Sequence, residues 1–306
     1  MKKKIVFILL VILIVTTLCV SVGCVEKSDP IQNSPESDIV SDDKNDEDKS
    51  EEEPYKITEL IVKRDNSTIY GKLYTPTDKK EKMPAVVLSH SAQLTHQSME
   101  SYCAEFAKRG FVAYAFDFCG GSIRSKSSGT IDKMTIFTEV ADLKAVVESV
   151  LSLDTVDSDN LLLFGSSQGG LVSAIAASEL NDKVKNLILL YPAFNIPDEV
   201  KRFENSGLSG IGTIAYGQDF IDTIKDYDVY SQIAKYLGRV LILHGSKDSV
   251  VNKSYSQKAV DAYQNAELYI IKGANHGFNK QNYSFFKNYD SIVWEQIDKF
   301  LDLAEN

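Results

Sequence analysis

The stretch that decides the fold reads Leu161-Leu-Leu-Phe-Gly165-Ser-Ser167-Gln-Gly169-Gly. Its four leading apolar residues predict a buried strand, and the residues from Gln168 onward predict a helix. The Gly-x-Ser-x-Gly pattern between them predicts a sharp turn, in which a Cβ at Gly165 or Gly169 would strike neighbouring backbone. Such a turn strains Ser167 and exposes its hydroxyl. The pattern therefore marks Ser167 as a candidate nucleophile beside the positive amino end of a helix.

A serine hydroxyl needs a base to take its proton, and the chain has only four histidines. His276 lies in the turn-rich loop 273–278, just after the last predicted strand, and can reach the top of the sheet. The alternative interpretation is that His276 is a surface-loop histidine without function. His244 ends a strand, where a packing role is usual. His90 and His96 come too early for the order serine, acid, base. The sequence therefore favours His276 as the base.

The acid that orients this base is predicted to be Asp248, which lies just beyond the strand before the His276 loop. The chain order is then serine, aspartate, histidine, one of the orders known for such triads. Asp248 could instead cap the helix that starts near Asn252. Three weaker candidates lie in the long segment that precedes this strand, namely Asp222, Asp226 and Asp228.

Outward from this stretch, apolar runs alternate with helical segments, a pattern typical of a doubly wound, mostly parallel sheet of about eight strands. Residues 56–63 and 68–74 alternate apolar and polar residues and predict an antiparallel hairpin at the sheet edge. Buried strands are predicted at 85–89, 111–117, 161–164, 187–191, 240–244 and 268–271, and helices at 97–109, 135–152, 168–180, 253–264 and 286–303. The segment 192–239 is too long for an ordinary loop and predicts a cap inserted over the carboxyl ends of the strands.

The helix at 135–152 shows its apolar side chains along one stripe, made by Phe137, Val140, Ala141, Val147 and Leu151. Asp142 and Lys144 fall outside this stripe. The pattern therefore predicts that both charged side chains face solvent.

Residues 1–24 predict an export signal or a membrane anchor. Three lysines precede the nearly continuous apolar run 5–22. The sequence Ser21-Val22-Gly23-Cys24 resembles a lipoprotein processing site, in which Cys24 becomes lipidated, although leucine or valine is usual where Ser21 stands. An uncleaved transmembrane helix and free secretion are the alternatives. Lipidation and the uncleaved helix are the two leading interpretations, and both attach the protein to a membrane with its folded part outside the cytoplasm.

Residues 25–54 predict an acidic disordered tether, and residues 55–306 the folded domain. From Glu26 to Pro54 there are 12 acidic and 3 basic residues, within a whole-chain net charge of −10. So few apolar side chains cannot form a core. The remaining domain is mildly acidic, which gives no support for nucleic-acid binding.

Only Cys103 and Cys119 belong to the predicted domain, so no disulfide framework exists. Two free thiols are favoured over a single bridge. No cysteine and histidine pair has the spacing of zinc ligands, and the sequence suggests no cofactor and no metal. The oligomeric state is left open.

From about residue 56 to 303 the chain resembles the α/β-hydrolase superfamily, and within it the feruloyl or cinnamoyl esterases and related serine esterases. The resemblance rests on Ser89-His90-Ser91, Phe116-Asp117-Phe118, the stretch 165–170, the stretch 244–251 and the stretch 273–278. It implies acyl transfer through an acyl-enzyme, with an oxyanion held by backbone N–H groups of Gln168 and of the loop at Ser91 and Ala92. The superfamily usually has His-Gly where this chain has His90-Ser91.

The expected function is hydrolysis of carboxylic esters, small-molecule or polysaccharide-linked, with feruloyl or short acyl groups. One alternative is a serine peptidase of the prolyl oligopeptidase kind, disfavoured because only the tether, and no propeller-length segment, precedes the domain. Another is a surface lipoprotein that keeps the fold for binding and has lost turnover. The presence of all three triad residue types in order disfavours that reading.

Overall fold

The computed structural model describes residues 54–78, 81–206, 216–279 and 288–303. The predicted leader, the lipidation residue Cys24 and the tether up to residue 53 lie outside the described residues. Eight strands form one sheet, which confirms the predicted fold class: β1 (Tyr55–Arg64), β2 (Ser67–Pro76), β3 (Met83–Ser89), β4 (Val112–Phe116), β5 (Val156–Ser166), β6 (Asn186–Leu190), β7 (Arg239–Gly245) and β8 (Ala266–Ile271).

The strands lie in the order β1-β2-β4-β3-β5-β6-β7-β8. The β1–β2 hairpin is antiparallel and β2 also pairs antiparallel with β4, whereas all other pairs are parallel. The predicted edge hairpin is therefore confirmed, and its turn residue Asp65 has a φ of 51°. From β3 the chain turns to β4 on one side and later to β5 on the other. The gap between the carboxyl ends of β3 and β5 is the switch point where doubly wound sheets bind ligands.

Helices cover both faces of the sheet. They are α1 (Glu100–Lys108), α2 (Ile136–Leu151), α3 (Gln168–Leu180), α4 (Ile196–Ser206), α5 (Gln218–Ile224), α6 (Val229–Ile233), α7 (Ser254–Ala262) and α8 (Asp290–Phe300). On one face, α1 and α8 pack on a core that includes Phe106, Phe164 and Ile297. On the other face, α2, α3 and α7 cover a core that includes Val147, Ile175 and Ala259. The central strands are buried on both sides, as parallel strands require.

The predicted cap segment 192–239 contains α4, α5 and α6, and its residues 207–215 lie outside the described residues. Helix α5 packs on α2, and α6 packs on α3 and α7. Phe220, Ile224, Val229 and Ile233 join the core of that face. The described part of the insertion therefore extends the helical layer that carries α2 and α3.

The solvent-facing position predicted for Asp142 is wrong. The buried stripe of α2 is centred on Val140, Leu143 and Val147, and both Glu139 and Asp142 are buried with it. The reason is that the β1–β2 hairpin covers this side of the helix, and Arg64 from β1 donates from Nε to Asp142 Oδ1 at 2.6 Å. A charged partner supplied from another element can bury a carboxylate that a helical pattern places outside.

Cys103 and Cys119 are both buried free thiols. Within the described part of the chain, no helix is long and apolar enough to cross a membrane. Nor do the described His, Cys, Asp and Glu side chains include a group of three or more that could hold a metal ion.

Candidate active site

Ser167 stands at the turn between β5 and α3 in a strained backbone conformation, with φ 51° and ψ −118°. A positive φ is costly for a residue with a Cβ, and its surroundings must hold it there. Backbone bonds do so: Ser167 N donates to Leu190 O at 2.9 Å, and Ala193 N donates to Ser167 O at 2.9 Å. The segment after β6 thus clamps the turn from the side. Ser167 remains 8 % exposed.

The two glycines of the motif are required by close packing. A Cβ on Gly165 would lie 2.4 Å from Gly169 O, and a Cβ on Gly169 would lie 2.4 Å from the carbonyl oxygens of Ser89 and His90. Such distances are far below van der Waals contact. The first glycine therefore lets the turn close, and the second lets the loop after β3 lie against the start of α3.

The structure brings Ser167, His276 and Asp248 together, although the first two are far apart in the chain. His276 Nε2 lies 3.1 Å from Ser167 Oγ, and His276 Nδ1 lies 2.8 Å from Asp248 Oδ2. With Nδ1–H donated to the carboxylate, Nε2 is free to accept the serine proton. His276 follows β8 in a tight turn in which Gly277 and Phe278 have positive φ values. This turn aims the imidazole back over the sheet.

Asp248 is an ionised, fully satisfied carboxylate. Its side chain is 0 % exposed. Oδ1 accepts the N–H groups of Val250 and Val251 at 2.9 Å each, so the carboxylate stabilises its own loop and caps no helix. Burial alone would raise the pKa of Asp248, but the hydrogen bonds from His244 and His276 outweigh burial and hold the pKa well below its usual range. The negative charge that the imidazolium needs is therefore present at neutral pH.

His244 makes a second histidine contact to Asp248. Its Nε2 lies 3.2 Å from Asp248 Oδ2 and 2.9 Å from Val251 O, and its Nδ1 lies 2.8 Å from Ser256 Oγ. A carbonyl oxygen can only accept, so Nε2 carries a proton. The sequence predicts a packing role for His244, and its position at a strand end carries no signal of this contact.

The ring of Tyr191 packs against the imidazole of His276. Its ring centroid lies 4.6 Å from that of the imidazole and 4.8 Å from that of Phe278. Tyr191 has a φ of 38° directly after β6, where the chain bends around the elbow. The sequence gives no sign of this contact beyond the proline that follows Tyr191.

The predicted oxyanion residues lie on both sides of the switch point. Gln168 is the first residue of α3, where backbone N–H groups lack a partner within the helix. Ser91 Oγ lies 2.8 Å from Ser166 Oγ and 3.3 Å from Ser166 O, so the loop after β3 is fastened to the elbow. Ala92 follows, half-buried. An oxyanion role for these N–H groups remains a prediction.

The two remaining histidines, His90 and His96, stabilise the loops that follow β3 and β4. His90 Nδ1 donates to Ser91 O at 2.8 Å, and its Nε2 accepts from Phe118 N at 3.2 Å. Burial lowers the pKa of His90 against the opposing effect of the Ser91 bond, which agrees with a neutral ring. His96 pairs with buried Asp117 at 2.7 Å. Asp222, Asp226 and Asp228, the weaker candidates for the acid, lie in or beside α5 and α6 and are not joined to His276.

A buried chain of polar side chains beside the nucleophile was not predicted from the sequence. Gln168 Nε2 donates to Glu139 Oε2 at 2.8 Å, and Tyr216 Oη donates to Gln168 Oε1 at 3.0 Å. Glu139 is 1 % exposed. The sequence carries no signal of this chain, because Glu139 lies outside the predicted apolar stripe of this helix and helical spacing alone could not place it beside Gln168.

Comparison with known proteins places this geometry in a family. A model described as the prolyl oligopeptidase family matches residues 97–296. Est1E from Butyrivibrio proteoclasticus, solved with ferulic acid bound, is 23% identical, with a TM-score of 0.66 over 79% of this chain and 97% of that one. Alpha/beta hydrolase domain-containing protein 10 from mouse is 20% identical, with a TM-score of 0.62 over 80% of this chain and 98% of that one.

The α/β-hydrolase GrgF from Penicillium sp. sh18 is 16% identical, with a TM-score of 0.63 over 81% of this chain and 98% of that one. These structures confirm the α/β-hydrolase resemblance at the level of the fold. The family match covers well over half of the chain and includes Ser167, Asp248 and His276. The chain therefore belongs to the prolyl oligopeptidase family of hydrolases, built on the α/β-hydrolase fold.

Proposed function

We propose that the protein is a serine hydrolase that cleaves carboxylic esters through an acyl-enzyme. The observation that carries this proposal is the continuous hydrogen-bonded path from Ser167 Oγ through His276 to Asp248, with distances of 3.1 and 2.8 Å. It starts at a strained serine whose backbone is held by hydrogen bonds to Leu190 and Ala193. Strain of this kind is retained where a reactive group must be presented.

In the proposed reaction, Ser167 Oγ attacks the ester carbonyl carbon while its proton passes to His276 Nε2. The negative charge on the carbonyl oxygen is stabilised by the N–H of Gln168 and by N–H groups at Ser91 and Ala92. His276 then donates its proton to the leaving alcohol, and the carbon–oxygen bond to that alcohol breaks. Water then attacks the acyl carbon while His276 Nε2 takes its proton. The bond from that carbon to Ser167 Oγ breaks, the carboxylic acid leaves, and His276 returns the proton to Oγ. Asp248 keeps its charge throughout.

We propose small or aromatic acyl esters, including feruloyl esters on a polysaccharide, as the substrate class. The binding of ferulic acid to Est1E, a structural neighbour of this chain, supports testing that acyl group first. The family match gives specific support to a second candidate, peptide hydrolysis after proline. The same triad could attack an amide, so the leaving group separates the two candidates.

The substrate class is tested by measuring hydrolysis of a panel with the purified chain. The panel contains 4-nitrophenyl acetate, butyrate and decanoate, methyl ferulate, and a proline peptide anilide. We expect turnover of the esters, with methyl ferulate preferred over the 4-nitrophenyl esters. Turnover of short acyl esters alone would indicate a general carboxylesterase. Cleavage of the anilide alone would contradict the ester proposal and favour the peptidase.

The nucleophile is tested by the substitution Ser167→Ala. We expect ester hydrolysis to fall by at least about a thousandfold with an unchanged melting temperature, because the attacking atom is removed from an otherwise intact site. The matched control is Ser173→Ala, two turns along α3. Ser173 is buried, and its hydroxyl has no hydrogen-bond partner among the described residues. Activity of Ser167→Ala above about a hundredth of the parent would refute the assignment of the nucleophile.

We also propose that the folded domain is held outside the cytoplasm at a membrane by the segment before residue 25. The lysines, apolar run and Cys24 of the sequence support this proposal. An extracytoplasmic position suits an enzyme that acts on polymer-linked esters, because such substrates do not enter cells.

A further inference from the structure

A carboxyl group lies buried beside the place where negative charge would develop during ester hydrolysis. Glu139 projects from α2 and is bonded to the side chain of Gln168, the residue directly after Ser167. The backbone N–H of Gln168 is the proposed oxyanion donor, so this inference rests on the proposed function. A carboxylate so near a developing oxyanion would oppose the reaction by charge repulsion. The position of Glu139 must therefore have a role that does not depend on a negative charge.

The contacts of Gln168 fix its side chain completely. Its amide nitrogen donates to Glu139 Oε2 at 2.8 Å, and its amide oxygen accepts from Tyr216 Oη at 3.0 Å. Gln168 is 2 % exposed. The side chain is thus held between helix α2 on one side and the inserted segment on the other. A fixed side chain also fixes the backbone amide of the same residue.

Tyr216 is itself anchored. Its ring stacks on Phe220 with centroids 3.9 Å apart and an interplanar angle of 11°, and Phe220 is part of the core. The next residue, Gly217, lies so close to Asp132 O that no side chain would fit there. The hydroxyl of Tyr216 therefore reaches Gln168 from a rigid support, which makes the hydrogen bond a constraint on position.

We propose that Glu139 and Tyr216 are positioning residues for the oxyanion donor Gln168, and that Glu139 acts in its neutral, protonated form. As a neutral acid, Glu139 accepts from Gln168 with one oxygen and places no charge near the oxyanion. When it loses its proton, the hydrogen bond persists but a negative charge appears beside the transition state. Catalysis then weakens although the geometry is unchanged.

The surroundings of Glu139 favour the neutral form. Burial raises the pKa of Glu139 to about 8, with the negative charge of Asp142 acting in the same direction and the Gln168 hydrogen bond opposing both. From its own helix Glu139 faces Asp142, whose charge is paired with Arg64 of β1. Among the described residues of α3 and the insertion, it bonds the uncharged side chain of Gln168, which in turn bonds Tyr216. From the loop after β4 it faces the backbone at Gly121.

The test is the pH profile of kcat/KM for 4-nitrophenyl acetate with the full chain. In the parent we expect activity to fall about tenfold above about pH 8, as Glu139 ionises. Glu139→Gln keeps a neutral acceptor for Gln168, so it should retain activity at neutral pH within about threefold and lose the alkaline fall. An alkaline fall that persists unchanged in Glu139→Gln would overturn the proposal.

Two further variants separate positioning from charge. Glu139→Leu should lower kcat by about 10-fold to 100-fold with little change in KM, since the oxyanion donor loses its support. Tyr216→Phe should lower kcat by about threefold to tenfold yet keep the alkaline fall, because Glu139 remains. If Glu139→Leu fails to fold, the other two variants still decide. Unchanged kcat in Tyr216→Phe would remove Tyr216 from the proposal.

Glu148→Gln is the matched control, because Glu148 lies on the same helix with its side chain 68% exposed. Its profile should match that of the parent. A fluorophosphonate probe, which labels the serine without needing a chosen ester, gives a second readout over the same pH range. A parent chain that is not labelled at Ser167 would overturn the proposed function and this inference together. A labelled parent with the same profile in Glu139→Gln would overturn only the inference.

Discussion

The carboxylate of Asp248 is shared between two imidazoles. Oδ2 receives the Nδ1–H of His276 at 2.8 Å and faces the Nε2–H of His244 at 3.2 Å. Ser256 donates in turn to His244 Nδ1 when the ring is neutral, at 2.8 Å. A carboxylate oxygen that already accepts a second N–H interacts less strongly with the first donor. His244 therefore tunes the interaction between Asp248 and the catalytic base.

We predict that His244→Asn lowers kcat/KM about tenfold, because Asp248 loses a hydrogen bond that holds it in place beside His276. The asparagine can still bond Ser256 but does not reach Asp248. The measurement is kcat/KM for a reactive ester at neutral pH.

His244→Gln serves as the control, because the glutamine Nε2 can take the place of the imidazole Nε2 and donate to Asp248. Its kcat/KM should stay close to that of the parent. If the Asn variant has the same kcat/KM as the parent, His244 only fills space at the end of β7.

At the scale of elements, the strand and helix order was predictable because buried parallel strands are nearly continuous apolar runs. The boundaries of the strands were less predictable than their order. Strand β5 was predicted at 161–164 but begins at Val156, which pairs with Met83 across an irregularity in the ladder. The intervening residues 157–160 are polar, so composition hides the strand. The triad of Ser167, Asp248 and His276 could be predicted because each residue comes soon after the end of a strand. The contacts of Glu139 and Tyr216 with Gln168 could not, because they depend on how α2 and the inserted segment pack beside α3.

Helix α2 is held against the edge hairpin by an ion pair that the helical pattern did not predict. Arg64 Nε lies 2.6 Å from Asp142 Oδ1, and Asp142 Oδ2 accepts from Cys119 N at 2.8 Å. The Asp142 side chain is 0% exposed, whereas that of Arg64 is 23% exposed. The pair therefore joins β1, α2 and the loop after β4 around one buried charge.

We predict that Arg64→Leu lowers the free energy of unfolding by about 3–5 kcal/mol, because Asp142 is then left buried without its cation. The measurement is the midpoint of urea denaturation by circular dichroism. Lys63→Leu is the matched control on the same strand, since Lys63 is exposed and bonds only the hydroxyl of Thr68 among the side chains described. It should change the free energy by less than about 0.5 kcal/mol. Equal effects of the two variants would show that the pair contributes nothing.

At the scale of the whole molecule, the proposed attachment and the proposed catalysis belong to separate parts of the chain. Every residue of the candidate site lies beyond Pro54, whereas the apolar run and Cys24 precede the acidic residues 26–53. With 12 acidic residues against 3 basic ones between Glu26 and Pro54, this segment repels an anionic membrane surface.

We predict that in a bacterial host the mature chain begins at Cys24 and carries a diacylglycerol on its sulfur. Mass spectrometry of the amino-terminal peptide after membrane extraction measures this directly. Cys24→Ala should block processing and lipidation while leaving kcat/KM of the detergent-extracted protein unchanged, because the substitution lies outside the folded domain. Recovery of an intact peptide beginning at Met1 from the parent would contradict lipidation and indicate an uncleaved helix. Recovery of a mature chain without lipid in the soluble fraction would contradict membrane attachment itself, yet neither result would alter the expected chemistry at Ser167.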